Sequence, residues 1–170
     1  FDHVAEFGLS CCQLCNWDPA QWEARDPTAT RAQADAAGVG VSCVWAGYPG
    51  PAVWNFVEGP TTIGLVNDEW RDRRLAALKK GADFCAAMGA PAIATHAGFL
   101  PENMTDPNFR DCVDALRDIA AHCDRLGIGF WFETGQETPV TLLRFIEEIG
   151  LDNVGINLDP ANLILYGKGN

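Results

Sequence analysis

The sequence predicts an α/β fold with a parallel sheet, and specifically a (β/α)8 barrel that is incomplete in this chain. Short apolar runs alternate with segments in which apolar residues recur every three or four positions, as in repeated strand and helix units. The apolar runs are rich in β-branched residues, which is typical of the buried strands of a parallel sheet. The predicted strands are residues 10–14, 39–46, 92–96, 129–133 and 154–159.

The spacing of the strand ends also favours a barrel. A barrel of about 250 residues averages roughly 31 residues per strand-and-helix unit, and most intervals between the predicted strand ends are close to that value. The interval from Ala46 to His96 is longer because it holds an insertion, GYPGPAVWNFVEGPTTIGLV. A doubly wound sheet is the alternative, but no G-x-G-x-x-G turn follows the first strand. Five units do not close a barrel, so we expect residues 1–170 to form a single partial domain.

Capping residues and apolar periodicity predict the helices between the strands. A short polar side chain favours a helix start, a Pro fits the first turn, and a Gly favours the end. The clearest stripe runs from Phe109 to Cys123, where apolar residues recur at steps of three and four. The predicted boundary residues are Pro19 and Pro27, Asn67 or Asp68 with Gly89, Gly127 after the stripe, and Thr138 with Pro139.

The charge balance constrains the kind of partner. The chain has 12 Lys and Arg against 23 Asp and Glu, a formal net charge of -11. Binding to nucleic acid or to an anionic membrane surface requires a cationic patch, and none is visible. No apolar run reaches the roughly 18 residues that span a bilayer, and no signal segment opens the chain. We therefore expect a small-molecule partner, no nucleic acid and no membrane; a homo-oligomer formed through the open sheet edges stays open.

The cysteines indicate a reducing environment. The chain has seven, and the odd number argues against a disulfide framework. Several lie in apolar strand or helix patterns, which predicts reduced, buried thiols and a cytoplasmic location. Cys12 and Cys15 form a C-x-x-C pattern, but no second pair follows at zinc-finger spacing. Because the pattern lies along a predicted strand and not at a helix N-terminus, we expect two small buried side chains.

Polar residues stand at the ends of three predicted strands: His96, Glu133 and Asp159. In a parallel barrel the active site forms at the carboxyl ends of the strands, so the two carboxylates from consecutive strands should converge. Two oxygen ligands suit Mg²⁺ or Mn²⁺, and an added imidazole extends the range to Co²⁺ or Zn²⁺. The alternative is that each carboxylate only caps the next helix or pairs with an arginine such as Arg144.

The insertion is rich in Gly, Pro and aromatic residues, including Trp54 and Phe56. Long segments of this kind in compact domains are usually functional or disordered, and this one is too apolar for disorder. We expect it to form a lid or pocket wall over the barrel mouth, with Trp54 in contact with the substrate. The alternative is a loop packed over one side of the barrel.

Four long motifs carry a resemblance to a known family: GPAVWNFVEGP, THAGFLPEN, FETGQETPVTLLR and GINLDPANLILYGKGN. With these motifs the chain resembles the sugar phosphate isomerase/epimerase family of xylose isomerase-like TIM barrels over nearly its whole length. The resemblance implies that the chain covers about strands two to six of such a barrel. The resemblance implies a metal-dependent isomerase or epimerase that acts on a sugar or sugar phosphate by proton transfer next to a carbonyl, through an enediolate. The implied cofactor is a divalent metal ion (Mn, Mg, Co or Zn), and the implied partner is a carbohydrate substrate.

The same resemblance implies roles for particular residues. Glu133 would be a metal ligand and a catalytic acid or base, and Asp159 would be a second metal ligand. The two other ligands of the family, a His and a Glu, would come from strands beyond Asn170, so residues 1–170 alone are expected to be inactive. The implied contacts to substrate hydroxyls are His96, Gln136 and Asn162.

Two other interpretations stay open. Endonuclease-IV-like DNA repair hydrolases resemble this chain in their barrel, but they have a His three residues after the strand-six Asp, where this chain has Asn162. An Asn fits a trinuclear zinc cluster poorly, and the acidic net charge also disfavours DNA. Ketose 3-epimerases often have the same His, so the particular sugar does not follow. The second interpretation is a non-catalytic binding or scaffold barrel.

Overall fold

The computed structural model describes residues 1–169 and contains a five-stranded sheet. The strands pair in chain order, and every pair is parallel. The strands are β1 Cys11–Asn16, β2 Gly40–Ala46, β3 Ala92–Thr95, β4 Gly129–Glu133 and β5 Val154–Asn157. Sequential parallel order with helical connections is the arrangement found along a βα barrel, so the predicted parallel α/β sheet is confirmed.

Eight helices flank or connect the strands within residues 1–169. The predicted starts at Asn67 and Thr138 are confirmed, because each side chain accepts a hydrogen bond from the backbone N–H three residues on. The sequence does not predict α1, α4 and α8, since each is too short for apolar periodicity to show. The helices are α1 Asp2–Glu6, α2 Gln21–Ala24, α3 Pro27–Ala36, α4 Gly59–Thr62, α5 Asp68–Met88, α6 Pro107–Arg125, α7 Pro139–Ile149 and α8 Pro160–Leu165.

The C-terminal ends of two strands differ from the predicted bounds by two residues, whereas the other bounds agree within one residue. Both of the larger differences affect the barrel mouth. β1 runs on to Asn16, because Cys15 and Asn16 pair in register with Trp45 and Ala46 of β2. The predicted strand 154–159 instead ends at Asn157. Asp159 has turned out of the strand and caps α8, so its carboxylate lies just beyond the strand end.

The outer face of the sheet and the helices form the main hydrophobic core. Val44, Ile93, Phe130 and Phe132 point outward from the strands and are fully buried against the helical layer. The predicted stripe of α6 is also buried, so its orientation toward the sheet is confirmed. Fully burying a large apolar side chain contributes about 1.5–3 kcal/mol, so this interface makes a large contribution to the stability of the fold.

The inner face of the sheet forms a second, smaller cluster beneath the barrel mouth. Its members are Cys43, Trp45, Ala92 and Ala94, with the half-buried Trp131 packed against them. The indole of Trp131 fits because glycines flank it: a Cβ at Gly129 or Gly155 would lie 2.7 Å from the ring. This cluster lies beneath the residues at the carboxyl ends of the strands.

The inserted segment, residues 47–66, is held against the end of β3. Leu65 donates a backbone hydrogen bond to the Ala97 carbonyl at 2.8 Å. Gly64 has φ +71 and approaches the same carbonyl so closely that a Cβ there would lie 1.9 Å from the oxygen. Only glycine combines this positive φ with such a close approach to a carbonyl, so Gly64 fixes where the segment crosses the barrel mouth.

The thiols are free, but their burial differs from the expectation. All seven cysteines are unpaired, and Cys43, Cys85, Cys112 and Cys123 are buried. The expectation that the C-x-x-C pair is buried is wrong: Cys12 is half-buried and Cys15 is exposed, because β1 is an edge strand of the sheet. In the part of the chain that the structure describes, no helix is long and apolar enough to cross a bilayer.

Candidate active site

A cavity of about 350 Å³ opens where the carboxyl ends of the strands meet. Small-molecule sites commonly measure roughly 300–1,000 Å³, so the space suits a compact ligand. The wall is built by the ends of β1, β2 and β4, by the inserted segment, by the segment after β3 and by α8 with its flanks. The lining residues are Gln13, Cys15, Trp17, Trp45, Trp54, His96, Glu133, Asp159, Asn162, Leu165 and Tyr166.

Glu133 ends β4 with its side chain on the inner face, where strand alternation places it above Trp131. It is only 7% exposed. Asn157 lies opposite in the register of β5, and its amide donates a hydrogen bond to Glu133 Oε2. Burial raises the pKa of Glu133, the Asn157 hydrogen bond lowers it, and the Asp159 carboxylate raises it. An upward shift of its pKa makes a carboxyl group a stronger base, which is the direction that suits proton transfer.

Asp159 has two tasks in this structure. Its Oδ1 accepts hydrogen bonds from the backbone N–H groups of Ala161 at 2.8 Å and Asn162 at 3.1 Å, which caps α8. The residue also lines the cavity together with Glu133. Asp159 therefore caps a helix, as the alternative interpretation expects, and it still lines the cavity. The other alternative, pairing with Arg144, is not observed, because that guanidinium donates to the Glu102 carbonyl at 3.1 Å.

His96 follows β3 and lies between two indoles, with ring centroids 6.0 Å from Trp45 and 5.0 Å from Trp54. Burial lowers its pKa to about 4, although Gln136 and Asp159 act in the opposite direction. The imidazole is therefore neutral at pH 7. Its Nδ1 is buried and has no hydrogen-bond partner among residues 1–169, so the ring can meet the cavity only through its other atoms.

The structure brings together five of the six side chains that the sequence singles out. Glu133, Asp159, His96, Asn162 and Trp54 line the same cavity. The inserted segment thus contributes a pocket wall, as expected. Gln136 is the exception, because it is 1% exposed and lies beside His96, away from the cavity wall. Its predicted contact with a substrate hydroxyl stays a prediction.

Sequence reasoning missed several residues of the cavity wall. Gln13, Cys15 and Trp17 occupy alternate positions and therefore share the inner face of β1 and its continuation. Their period of two was the available signal, but a strand predicted to end at residue 14 hides it. Trp45 and Tyr166 also line the cavity. Trp45 lies on the inner face of β2, and Tyr166 directly follows α8.

The two carboxylates are of the type that binds a divalent metal ion, and both line the cavity. Glu133 and Asp159 line one cavity, and the charge of Asp159 raises the pKa of Glu133, so the two groups repel each other. A divalent cation removes that repulsion, and carboxylate oxygens are the ligands that hard cations prefer. Among residues 1–169, no group of three or more His, Cys, Asp or Glu side chains is arranged to hold a metal. Within the described residues, Glu133 and Asp159 are therefore the two candidates for metal ligands.

Fold and site together define a segment of a parallel βα barrel with a carboxylate pair at its mouth. The family model described as Xylose isomerase-like TIM barrel matches residues 1–170. The chain therefore belongs to the xylose isomerase-like TIM barrel family, and the predicted barrel type is confirmed.

Solved structures agree with this assignment. The chain is 37% identical to a xylose isomerase domain protein from Planctomyces limnophilus, with a TM-score of 0.90, over 97% of this chain and 58% of that one. A xylose isomerase-like TIM barrel protein from Mycobacterium smegmatis, solved in complex with magnesium, shares the fold at 20% identity and a TM-score of 0.67, over 96% and 56% of the two chains. A D-psicose 3-epimerase solved in the presence of D-fructose shares the fold at 15% identity and a TM-score of 0.71, over 96% of this chain and 58% of that one.

The chain thus spans between 56% and 58% of the length of these relatives. None of the curated proteins compared with the chain matches it.

Proposed function

We propose that this chain supplies part of the active site of a divalent-metal-dependent isomerase or epimerase acting on a sugar or sugar phosphate. The observation that carries the proposal is the pair Glu133 and Asp159, which lie at the ends of consecutive strands and line one cavity beside a neutral His96. Membership of the family, and relatives named as a xylose isomerase domain protein and a D-psicose 3-epimerase, support this class of reaction.

Glu133 is the residue that moves the proton. Its pKa is raised by burial, and Asn157 holds Oε2, which leaves Oε1 for a substrate C–H or a metal. Glu133 and Asp159 would hold the metal. When bound, a divalent cation attracts the substrate's carbonyl and hydroxyl oxygens and stabilises the negative charge that develops as the neighbouring proton leaves.

Other residues of the cavity orient the substrate. His96 is neutral and lines the cavity, so its imidazole exchanges a hydrogen bond with a hydroxyl without adding charge. Asn162 offers an amide from the first turn of α8, and Trp54 closes the side formed by the inserted segment. The partner of this site is a carbohydrate, and the seven free thiols support a cytoplasmic location.

Turnover by the complete protein tests the proposal. A panel of aldoses, ketoses and their phosphates is incubated with Mn²⁺, Mg²⁺, Co²⁺ or Zn²⁺ in D₂O, and deuterium entering next to the carbonyl is followed by NMR. We expect exchange that requires the metal and that Glu133→Gln abolishes. Glu147→Gln, on the exposed face of α7, is the matched control and retains activity.

Two outcomes would contradict the proposal. Near-normal exchange by Glu133→Gln removes the role given to that residue. Metal binding without exchange on any sugar of the panel instead identifies a non-catalytic binding barrel.

A further inference from the structure

The hydroxyl of Thr134 connects the end of β4 to the chain that leaves β5. Thr134 directly follows Glu133 and is only 5% exposed. Its Oγ1 accepts a hydrogen bond from the Asp159 N–H at 2.8 Å and donates one to the Asp159 carbonyl at 3.1 Å. One side chain, next to the first candidate metal ligand, therefore holds both backbone polar groups of the second.

The register of the sheet explains this arrangement. Glu133 pairs with Asn157, and the Thr134 N–H donates to the Asn157 carbonyl at 3.2 Å. If the parallel ladder continued for one more pair, the Asp159 N–H would donate to the backbone carbonyl of Thr134. The Thr134 hydroxyl takes the place of that carbonyl. The chain can therefore leave the sheet at Asp159 and still be bound to β4.

The side chain of Asp159 is fixed as well. The cap of α8 engages its Oδ1 through the N–H groups of Ala161 and Asn162, and no hydrogen bond within residues 1–169 engages Oδ2. Because Thr134 holds the backbone of Asp159 and the helix holds Oδ1, the direction of Oδ2 is defined. Oδ2 is then the oxygen that remains for a cation.

We propose that Thr134 is a positioning residue that sets where Asp159 stands relative to Glu133. Among residues 1–169, Thr134 is not part of the cavity lining, so it acts through Asp159. Residues that orient a metal ligand in this way commonly change metal affinity about 10- to 100-fold when they are replaced. The inference rests on the proposed function and adds a residue to the same site.

The test measures Mn²⁺ affinity by calorimetry on the complete protein, so it does not depend on turnover. Thr134→Val has nearly the shape of the wild type but lacks the hydroxyl, and we expect its affinity to fall about tenfold or more. Thr134→Ser keeps the hydroxyl and should stay within about threefold of the wild type. If Thr134→Val does not fold, Thr134→Ala makes the same comparison.

Thr95→Val is the matched control. Thr95 is fully buried, and its Oγ1 donates to the Ala46 carbonyl at 2.8 Å, which ties the end of β3 to the end of β2. The variant loses a comparable hydrogen bond without disturbing the carboxylate pair, so its Mn²⁺ affinity should stay within about twofold of the wild type. Equal losses of affinity in Thr95→Val and Thr134→Val would overturn the inference.

A double variant shows whether Thr134 acts through Asp159. An amide has a single oxygen, which the cap of α8 uses, so Asp159→Asn has no second oxygen for the metal. In that background Thr134→Val should cost less than about twofold in affinity, because the two substitutions act on one ligand. A tenfold loss in both backgrounds would contradict the positioning role.

Amide hydrogen exchange reports on the contact itself in the metal-free complete protein. The Asp159 N–H should exchange at least about tenfold faster in Thr134→Val than in the wild type or in Thr134→Ser. Unchanged exchange in Thr134→Val overturns the inference. A wild type that binds Mn²⁺ with an affinity that Thr134→Val does not alter also overturns it, but leaves the proposed function standing. A wild type that binds no Mn²⁺ refutes the proposed function, and the inference falls with it.

Discussion

The guanidinium carbon of Arg74 lies 4.6 Å from the ring centroid of Tyr48, and both side chains are buried. Arg74 donates hydrogen bonds to the backbone carbonyls of Pro49, Pro51 and Gly64, which belong to both ends of the inserted segment. The Tyr48 hydroxyl accepts a further bond from the Gly64 N–H at 2.9 Å. One buried cation from α5 therefore ties down the segment that carries Trp54.

Replacing this cation should loosen the pocket wall. Arg74→Met leaves the carbonyls without donors, so we expect the free energy of unfolding to fall by about 2–4 kcal/mol in urea titrations. The near-ultraviolet circular dichroism of the tryptophans should weaken at the same time. Arg73→Met, exposed on the same helix, should change stability by less than about 0.5 kcal/mol. Equal losses in the two variants would contradict the role of Arg74.

The close approach of Gly64 to Ala97 makes a second prediction. Gly64→Ala must fit a Cβ 1.9 Å from the Ala97 oxygen at φ +71, so we expect a loss of at least about 3 kcal/mol, or failure to fold. Gly127 has the same φ, but a Cβ there meets nothing within 4 Å. Gly127→Ala therefore measures only the free-energy cost of placing a non-glycine residue at positive φ, which is about 1–2 kcal/mol. Similar unfolding energies for the two variants would show that the contact with Ala97 is not restrictive.

Glu137, four residues after Glu133, should make stability depend on pH. It is 3% exposed, and burial raises its pKa from 4.5 to about 7. The nearby backbone N–H groups and Lys168 lower the pKa, but burial is the larger effect. Because the folded pKa lies above the unfolded value, the stabilisation is fully present below about pH 4.5 and is lost as the pH rises through about 7.

The measurement is urea unfolding of the wild type and Glu137→Gln across this pH range. The wild type should lose about 3 kcal/mol that the variant does not lose, since an amide has no proton to release. The exposed Glu147→Gln should retain the wild-type slope. A slope that persists in Glu137→Gln would assign the pH dependence to another group.

Two substitutions separate the two tasks of Asp159. Asp159→Asn retains an oxygen that accepts from the Ala161 and Asn162 N–H groups, so stability should be close to that of the wild type. It removes the charge, so Mn²⁺ affinity measured by calorimetry on the complete protein should fall at least about tenfold. Asp159→Ala should lose the affinity and, in addition, about 1 kcal/mol of stability. Undiminished Mn²⁺ affinity in Asp159→Asn would show that Asp159 caps α8 but does not bind the metal.

Local chemistry explains how much of the fold the sequence predicts. The caps at Asn67 and Thr138 and the stripe of α6 depend on neighbours within one or two turns, so they can be read directly. The end of β1 cannot, because Asn16 is held in the strand by its pairing with Ala46, a contact between distant parts of the chain. The end of β5 is not predicted for a different reason: Asp159 is compatible both with the end of a strand and with the cap of a helix, and in the structure it caps α8.

The site divides along the same line. Glu133, Asp159 and His96 are predictable because the ends of parallel strands meet at one edge. The grouping of Trp17, Trp45 and Trp54 is not predictable, since it brings together residues from three separate parts of the chain. Gln136 follows Glu133 closely in sequence, yet the turn after β4 directs it toward the protein interior.

The position of a bound metal tests the central claim most directly. Crystals of the complete protein grown with Mn²⁺ and measured at a wavelength where manganese scatters anomalously would locate the ion. The account predicts one strong peak about 2.0–2.3 Å from carboxylate oxygens of both Glu133 and Asp159. A peak that touches neither carboxylate, or no peak at saturating Mn²⁺, would contradict it.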